Sequence, residues 1–210
     1  MSYSKYRNIK MVVDTFGVKA ISSELFSREI EKIKPSSWLL ETLEMTRKLK
    51  FYSESERSHR LVHPILSELS RINNYALMVY AGRELNVDSK KGLNGECDFL
   101  LSFGSLMDIV DVPIFNVVEA KRQDIEHGSA QCAAQMIGAK IYNHNDGVEV
   151  PFLYGCSTTG DVWRFLKYEN EVIILDSERY YSENLEELLG VLQFIMSDSR
   201  KNLMPKENVV

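Results

Sequence analysis

Apolar and polar residues change period several times along this chain, and each change marks an element. Residues 21 to 33 place Ile21, Leu25, Phe26, Ile30 and Ile33 close to a helical repeat, and Pro35 ends that segment. Ser36 or Ser37 is positioned to cap a second helix with Trp38, Leu39, Leu43 and Met45 on its apolar face. The pattern predicts a third helix from Ser53 to Ile72, with Leu61, Ile65, Leu69 and Ile72 on one side and Pro64 kinking it or opening its second half.

The period then shortens. Ala76 to Leu85 reads as a strand, followed by a loop from Asn86 to Asn94. The turn dipeptide Asn94-Gly95 leads into a second strand ending near Ser102. A connection from Gly104 to Asp111 joins it to the apolar run that starts at Pro113 and Ile114. Small residues between Ser129 and Tyr142 predict a helix that packs closely on a sheet. Turn residues then separate three strands, near 152–155, 162–166 and 171–175, with Trp163 and Phe165 as core. A last helix runs from Ser182 to about Ser197, and a loose tail covers 201–210.

Polar residues interrupt this pattern in an informative place. The run Ile114-Phe115-Asn116-Val117-Val118 ends in Glu119-Ala120-Lys121, and residues two apart on a strand share a face. Glu119 and Lys121 should therefore project together. Asp98 is a polar residue on the preceding strand, and if the two strands are neighbours it converges on Glu119. Ionised groups at such a position need a partner or a metal. Two carboxylates beside a lysine make a hard oxygen-ligand site suited to Mg²⁺ or Mn²⁺, with the lysine placed to orient or help deprotonate water. That chemistry suits phosphodiester hydrolysis. A local ion pair at a strand end is the simpler account of Glu119 and Lys121 alone.

The succession of an acid on one strand, Glu-x-Lys ending the next, and then a helix with glutamines resembles the PD-(D/E)XK superfamily of restriction-endonuclease-like nucleases. Asp98, Glu119 and Lys121 match its core motif. The resemblance implies an α/β fold with a mixed-sheet core flanked by helices, here with an N-terminal helical extension. On that reading residues 1–52 are the extension, 53–200 the core and 201–210 the tail of a single domain. Many members carry a glutamate on the first core helix, which points to Glu68 as a further metal or catalytic residue. The helix after the motif resembles that of type I restriction enzyme nuclease domains, with Gln135 as the preferred match and Gln131 second. The tyrosine that often follows this glutamine has no match at the usual spacing, since Tyr142 lies too far on. The implied activity is metal-dependent cleavage of DNA, and a homodimer is implied for double-strand breaks.

Composition adjusts this picture. A chain of 210 residues with 44% hydrophobic and 26% charged residues is ordinary for one globular domain. No stretch approaches the roughly 18 apolar residues of a membrane span, and the N-terminus lacks a signal-peptide core, so a cytoplasmic protein is expected. Cys97, Cys132 and Cys156 have no metal-ligand spacing and read as core. His59 and His63 lack the acid that would complete a zinc-protease motif. The net charge of −5 argues against a protein that coats nucleic acid nonspecifically. It keeps open a nuclease-like module that binds nucleic acid or a protein partner without cutting. An unrelated α/β protein is the third reading, and it would hold Asp98 and Glu119 far apart.

Overall fold

The run from Ile114 to Ala120 is buried at every position, as happens when both faces of a sheet are covered. It forms β4 of an eight-stranded mixed sheet. The computed structural model describes residues 2–26, 30–50, 53–103 and 108–203. The other strands are β1 (Lys19–Ser23), β2 (Met78–Glu84), β3 (Glu96–Ser102), β5 (Phe152–Thr158), β6 (Val162–Glu169), β7 (Val172–Asp176) and β8 (Tyr180–Tyr181). Their spatial order is β1-β7-β6-β5-β4-β3-β2, with β8 added beside β6. The pairs β4/β5 and β1/β7 are parallel, and the rest are antiparallel.

Parallel neighbours need a crossover, and α5 (Ile125–Asn145) supplies the one between β4 and β5. Its Ala130, Ala133, Ala134 and Ala139 are fully buried in one apolar layer with Leu100 and Val117 of the sheet. The helix is longer at both ends than the small-residue pattern predicts; at its start, Asp124 caps it by accepting from the His127 N–H. On the opposite face, Leu66 and Leu69 of α4 (His63–Ile72) and Leu188 and Leu192 of α6 (Leu185–Leu203) pack with Phe99, Leu101 and Val118. Trp163 and Phe165 are fully buried in that layer, as expected.

The predicted helix from 53 to 72 is one continuous path with a change of winding. Ser53 and Glu56 form a reciprocal cap on α3 (Glu54–Arg57). A wider turn follows over Ser58–Val62, with His63 N donating to the Ser58 carbonyl, before α4 resumes. This π-type turn admits Pro64 at the head of α4, where a regular helix would set its ring against the carbonyl four residues back.

The N-terminal helical extension needs correction. A helix is present at α1 (Ile9–Phe16), where none was predicted, and at α2 (Ser37–Arg47), which Ser36 caps. The segment read as a helix from Ile21 instead begins as β1, which runs in register along the open edge of β7. Ile21 pairs with Ile174 and is half exposed. Main-chain hydrogen bonds to a free edge outweighed a side-chain pattern of helical appearance. Leu25, Phe26, Ile30 and Ile33 still pack in or against the core. Tyr3 and Tyr6 are also core residues, so the N-terminal segment belongs to the sheet's own packing. In α2, Leu39 and Leu43 are buried while Trp38 and Met45 are exposed. Parts of the predicted first helix, of the connection after Ser102 and of the C-terminal tail lie outside the described residues. No helix among the described residues is long and apolar enough to cross a membrane.

Candidate active site

Adjacent strands bring the two sequence-predicted acids together. Phe99 of β3 lies opposite Val118 of β4, so Asp98 and Glu119 are the next residues of the two strands, and Glu119 faces α5, where Gln135 meets it. Asp98 Oδ2 accepts from the Ala120 backbone N–H at 2.7 Å. Its Oδ1 has no hydrogen-bond partner among the described residues. Across β3, the position opposite Asp98 is Gly82, which has φ +61° and interrupts the pairing between Ala81 and Arg83. The glycine leaves the edge of β2 open there. A cleft of about 370 Å³ lies at this place, bordered by Glu54, His59, Gly82, Glu96 and Asp98.

Glu119 ends β4 almost fully buried. Each of its oxygens has a partner: Lys121 Nζ donates to Oε1 at 2.6 Å, and Gln135 Nε2 donates to Oε2 at 2.7 Å. Lys121 N donates to the Thr158 carbonyl at 2.7 Å, which carries the β4/β5 ladder past the end of the strand and fixes the lysine backbone. The lysine side chain then passes α5 at Gly128, where an added Cβ would meet Lys121 Cγ at 2.9 Å and would also strike Ser157 Oγ. Gln135 is fully buried one turn after Gln131, and its own Oε1 is unpartnered. No hydrogen bond joins Gln131 to the acids among the described residues.

Burial first, and then the nearby Asp98 charge, push the Glu119 carboxyl up to about 8. Burial likewise raises Asp98. For Lys121 burial acts downward, but Glu119, Glu54 and Asp98 more than reverse it, and its pKa rises. The cluster is thus several carboxylates sharing one ammonium. The lysine is over-supplied with counter-ions while the acids are short of positive charge. A divalent cation would supply what they lack, and the oxygen donors fit Mg²⁺ or Mn²⁺ better than a soft metal.

Glu54 was missed by sequence reasoning. At the head of α3 its Oε1 accepts from Lys121 Nζ at 3.2 Å and its Oε2 from Arg122 N at 3.3 Å. Glu68, the predicted helix acid, is elsewhere. Both its oxygens are held by Arg71, at 2.9 and 3.0 Å, and by the backbone and hydroxyl of Ser36. It therefore ties α4 to the cap of α2 and makes no contact with Asp98, Glu119 or Lys121. The two glutamates sit about 20 Å apart along one helical path at 1.5 Å per residue, so only one can reach the end of β4. The signal that favours Glu54 is its place in the first turn, beside the capping serine.

The other chemical candidates are silent. All three cysteines are free and fully buried, and burial raises each thiol pKa. His63 packs against the Phe99 ring, and His59 lies near the backbone oxygen of Ser55. No protein-family model matches the chain, and no curated protein matches it.

Proposed function

We propose that this chain is a metal-dependent nuclease of restriction-endonuclease-like fold that hydrolyses phosphodiester bonds of DNA. The observation that carries the reading is the meeting of Asp98, Glu119, Lys121 and Gln135 at the end of two neighbouring strands, with a helix acid closing on the same lysine. The order of these residues in the chain and the mixed sheet that holds them fit the PD-(D/E)XK superfamily.

Asp98 and Glu119 would hold Mg²⁺ or Mn²⁺, which would supply Lewis-acid polarisation of a phosphate oxygen when bound, and Glu54 would support the site through Lys121. The chain's own residues have separate tasks. Gln135 orients Glu119 from behind, as a hydrogen-bonded supporting residue does at a metal site. Lys121 is held between Glu119 and Glu54, and Glu54 borders the cleft. There the lysine can position an attacking water and stabilise charge that develops on phosphate oxygens. The Ala120 N–H fixes one oxygen of Asp98 beside the strand that carries Glu119. Cutting both strands of a duplex would call for a second copy of the chain.

The test is cleavage of single-stranded and duplex DNA with Mg²⁺, with Mn²⁺ and with EDTA, by wild type, Asp98→Ala and Lys121→Ala. Metal-dependent cutting by wild type alone is expected. A fully active Lys121→Ala would overturn the mechanism. DNA binding without turnover in any metal would assign the chain to a non-catalytic binding module instead.

A further inference from the structure

The row of residues that carries Glu119 continues past the site. Glu119 is opposite Ser157 of β5, and Ser157 is opposite Arg164 of β6. Opposed residues on neighbouring strands share a face, so Arg164 lies on the α5 side, roughly 10 Å from Glu119 at the usual strand spacing. The first turn of α5 covers this row: Ser157 Oγ donates to the Ile125 carbonyl, and Arg164 pairs with Glu126.

Arg164 is an unusual residue for such a place. Its side chain is 11% exposed, and among the described residues its ion pair is with Glu126, which is 67% exposed. Arg179 donates to the other oxygen of the same carboxylate at 2.9 Å. Two guanidinium groups therefore share one solvent-facing glutamate, and Arg164 Nη2 has no partner among the described residues. Asp176 adds a second, buried negative charge nearby: its Oδ1 accepts from the Leu25 and Glu178 N–H groups, its Oδ2 is unpartnered among the described residues, and its carbonyl accepts from Arg164 Nε at 3.4 Å and Arg179 Nη1 at 3.5 Å. In the same helical turn, His127 Nε2 is buried without a partner. The turn also opens a helix of 21 residues, whose N-terminal N–H groups favour an anion.

We propose that Arg164 and Arg179, at the first turn of α5, bind a DNA phosphate neighbouring the one at Lys121, and that Glu126 occupies their place in the free protein. The inference rests on the nuclease reading for its substrate. It locates a phosphate contact in a protein of net charge −5, and it gives Glu126 an inhibitory effect on binding.

The experiment measures binding of a short fluorescein-labelled DNA by the full chain in EDTA over a range of salt, with cleavage in Mg²⁺ measured separately. Arg179→Gln and Arg164→Gln should each weaken binding about tenfold and lower the slope of log Kd against log salt by about one. Glu126→Gln should tighten binding severalfold. Arg179 is on the surface side of the pair, so its variant reads the contact even if Arg164→Gln unfolds. Unchanged affinity and slope in Arg179→Gln would overturn the inference, as would a Glu126→Gln variant that binds more weakly and melts earlier, the mark of a purely structural clamp. Arginine-dependent binding without cleavage refutes only the nuclease reading. Cleavage with arginine-independent binding refutes only the phosphate site.

Discussion

Glu54 and Lys121 are 67 residues apart in the chain and 3.2 Å apart in the fold. The contact joins the head of α3 to the residue just past the end of β4, and it gives the lysine a second carboxylate. Glu54 is also 45% exposed in its side chain, so its pairing contributes little to stability, at most about 1 kcal/mol. Glu54→Gln should therefore melt close to wild type. Its DNA cleavage should fall about 10- to 100-fold, the usual cost of removing a supporting group at a metal site. Equal cleavage by wild type and Glu54→Gln would remove the residue from the site.

Glu119 gives the metal-free protein a pH dependence of unusual sign. Its folded pKa of about 8 lies above the ordinary 4.5, so between these values the folded state holds a proton that the unfolded chain has released. This contribution to stability is present below pH 4.5 and is lost as pH rises through 8. Asp98 acts in the same direction. Glu68 and Glu171 have lowered pKa values and act oppositely, but their contribution is complete by neutral pH. In EDTA, the melting temperature should fall from about pH 6.5 to pH 9, and Glu119→Gln should flatten that fall. A wild-type melting temperature that climbs over this range would contradict the buried-acid description.

Gly128 is a packing requirement of the site. A methyl group there would meet Lys121 Cγ at 2.9 Å and collide with Ser157 Oγ. Gly128→Ala should destabilise the fold by about 1–3 kcal/mol, the range for overpacking, and displace the lysine. Activity should drop further than the loss of folded protein explains. Calorimetry beside single-turnover cleavage would separate the two effects; normal stability with normal rate would show that Lys121 has room to move.

Glu68 should behave as a structural residue. It is fully buried and takes bonds from Arg71 and Ser36. Arg71 is half-exposed, so the loss comes from the Ser36 groups left without their acceptor, about 1–3 kcal/mol, and Glu68→Ala should lose an amount of that order in denaturant unfolding. The cleavage rate of the molecules that remain folded should match wild type. A folded Glu68→Ala protein with no cleavage would restore Glu68 to the catalytic set.

Strands whose side chains record their burial were legible in the sequence. The largely apolar run of β4, the turn residues before β3 and the spaced strands after Pro151 all appear where the pattern places them. So does the pairing of the Asp98 and Glu119 strands, because an acid on each of two adjoining apolar strands has few other ways to be satisfied. Those features are local, or depend on neighbours close in sequence. β1 did not follow the pattern: its partner is the edge of β7, which lies about 150 residues on in the chain, and an edge offers main-chain hydrogen bonds whatever the side chains are. The choice between Glu54 and Glu68 was equally hidden. Both are acids on one helical path, and composition cannot tell which end meets Lys121. The tertiary structure decided it by placing the first turn of α3 over the end of β4 and the middle of α4 against Ser36 and Arg71. Sequence determined which residues could form a charged cluster, while the docking of the helix on the sheet determined which of them did.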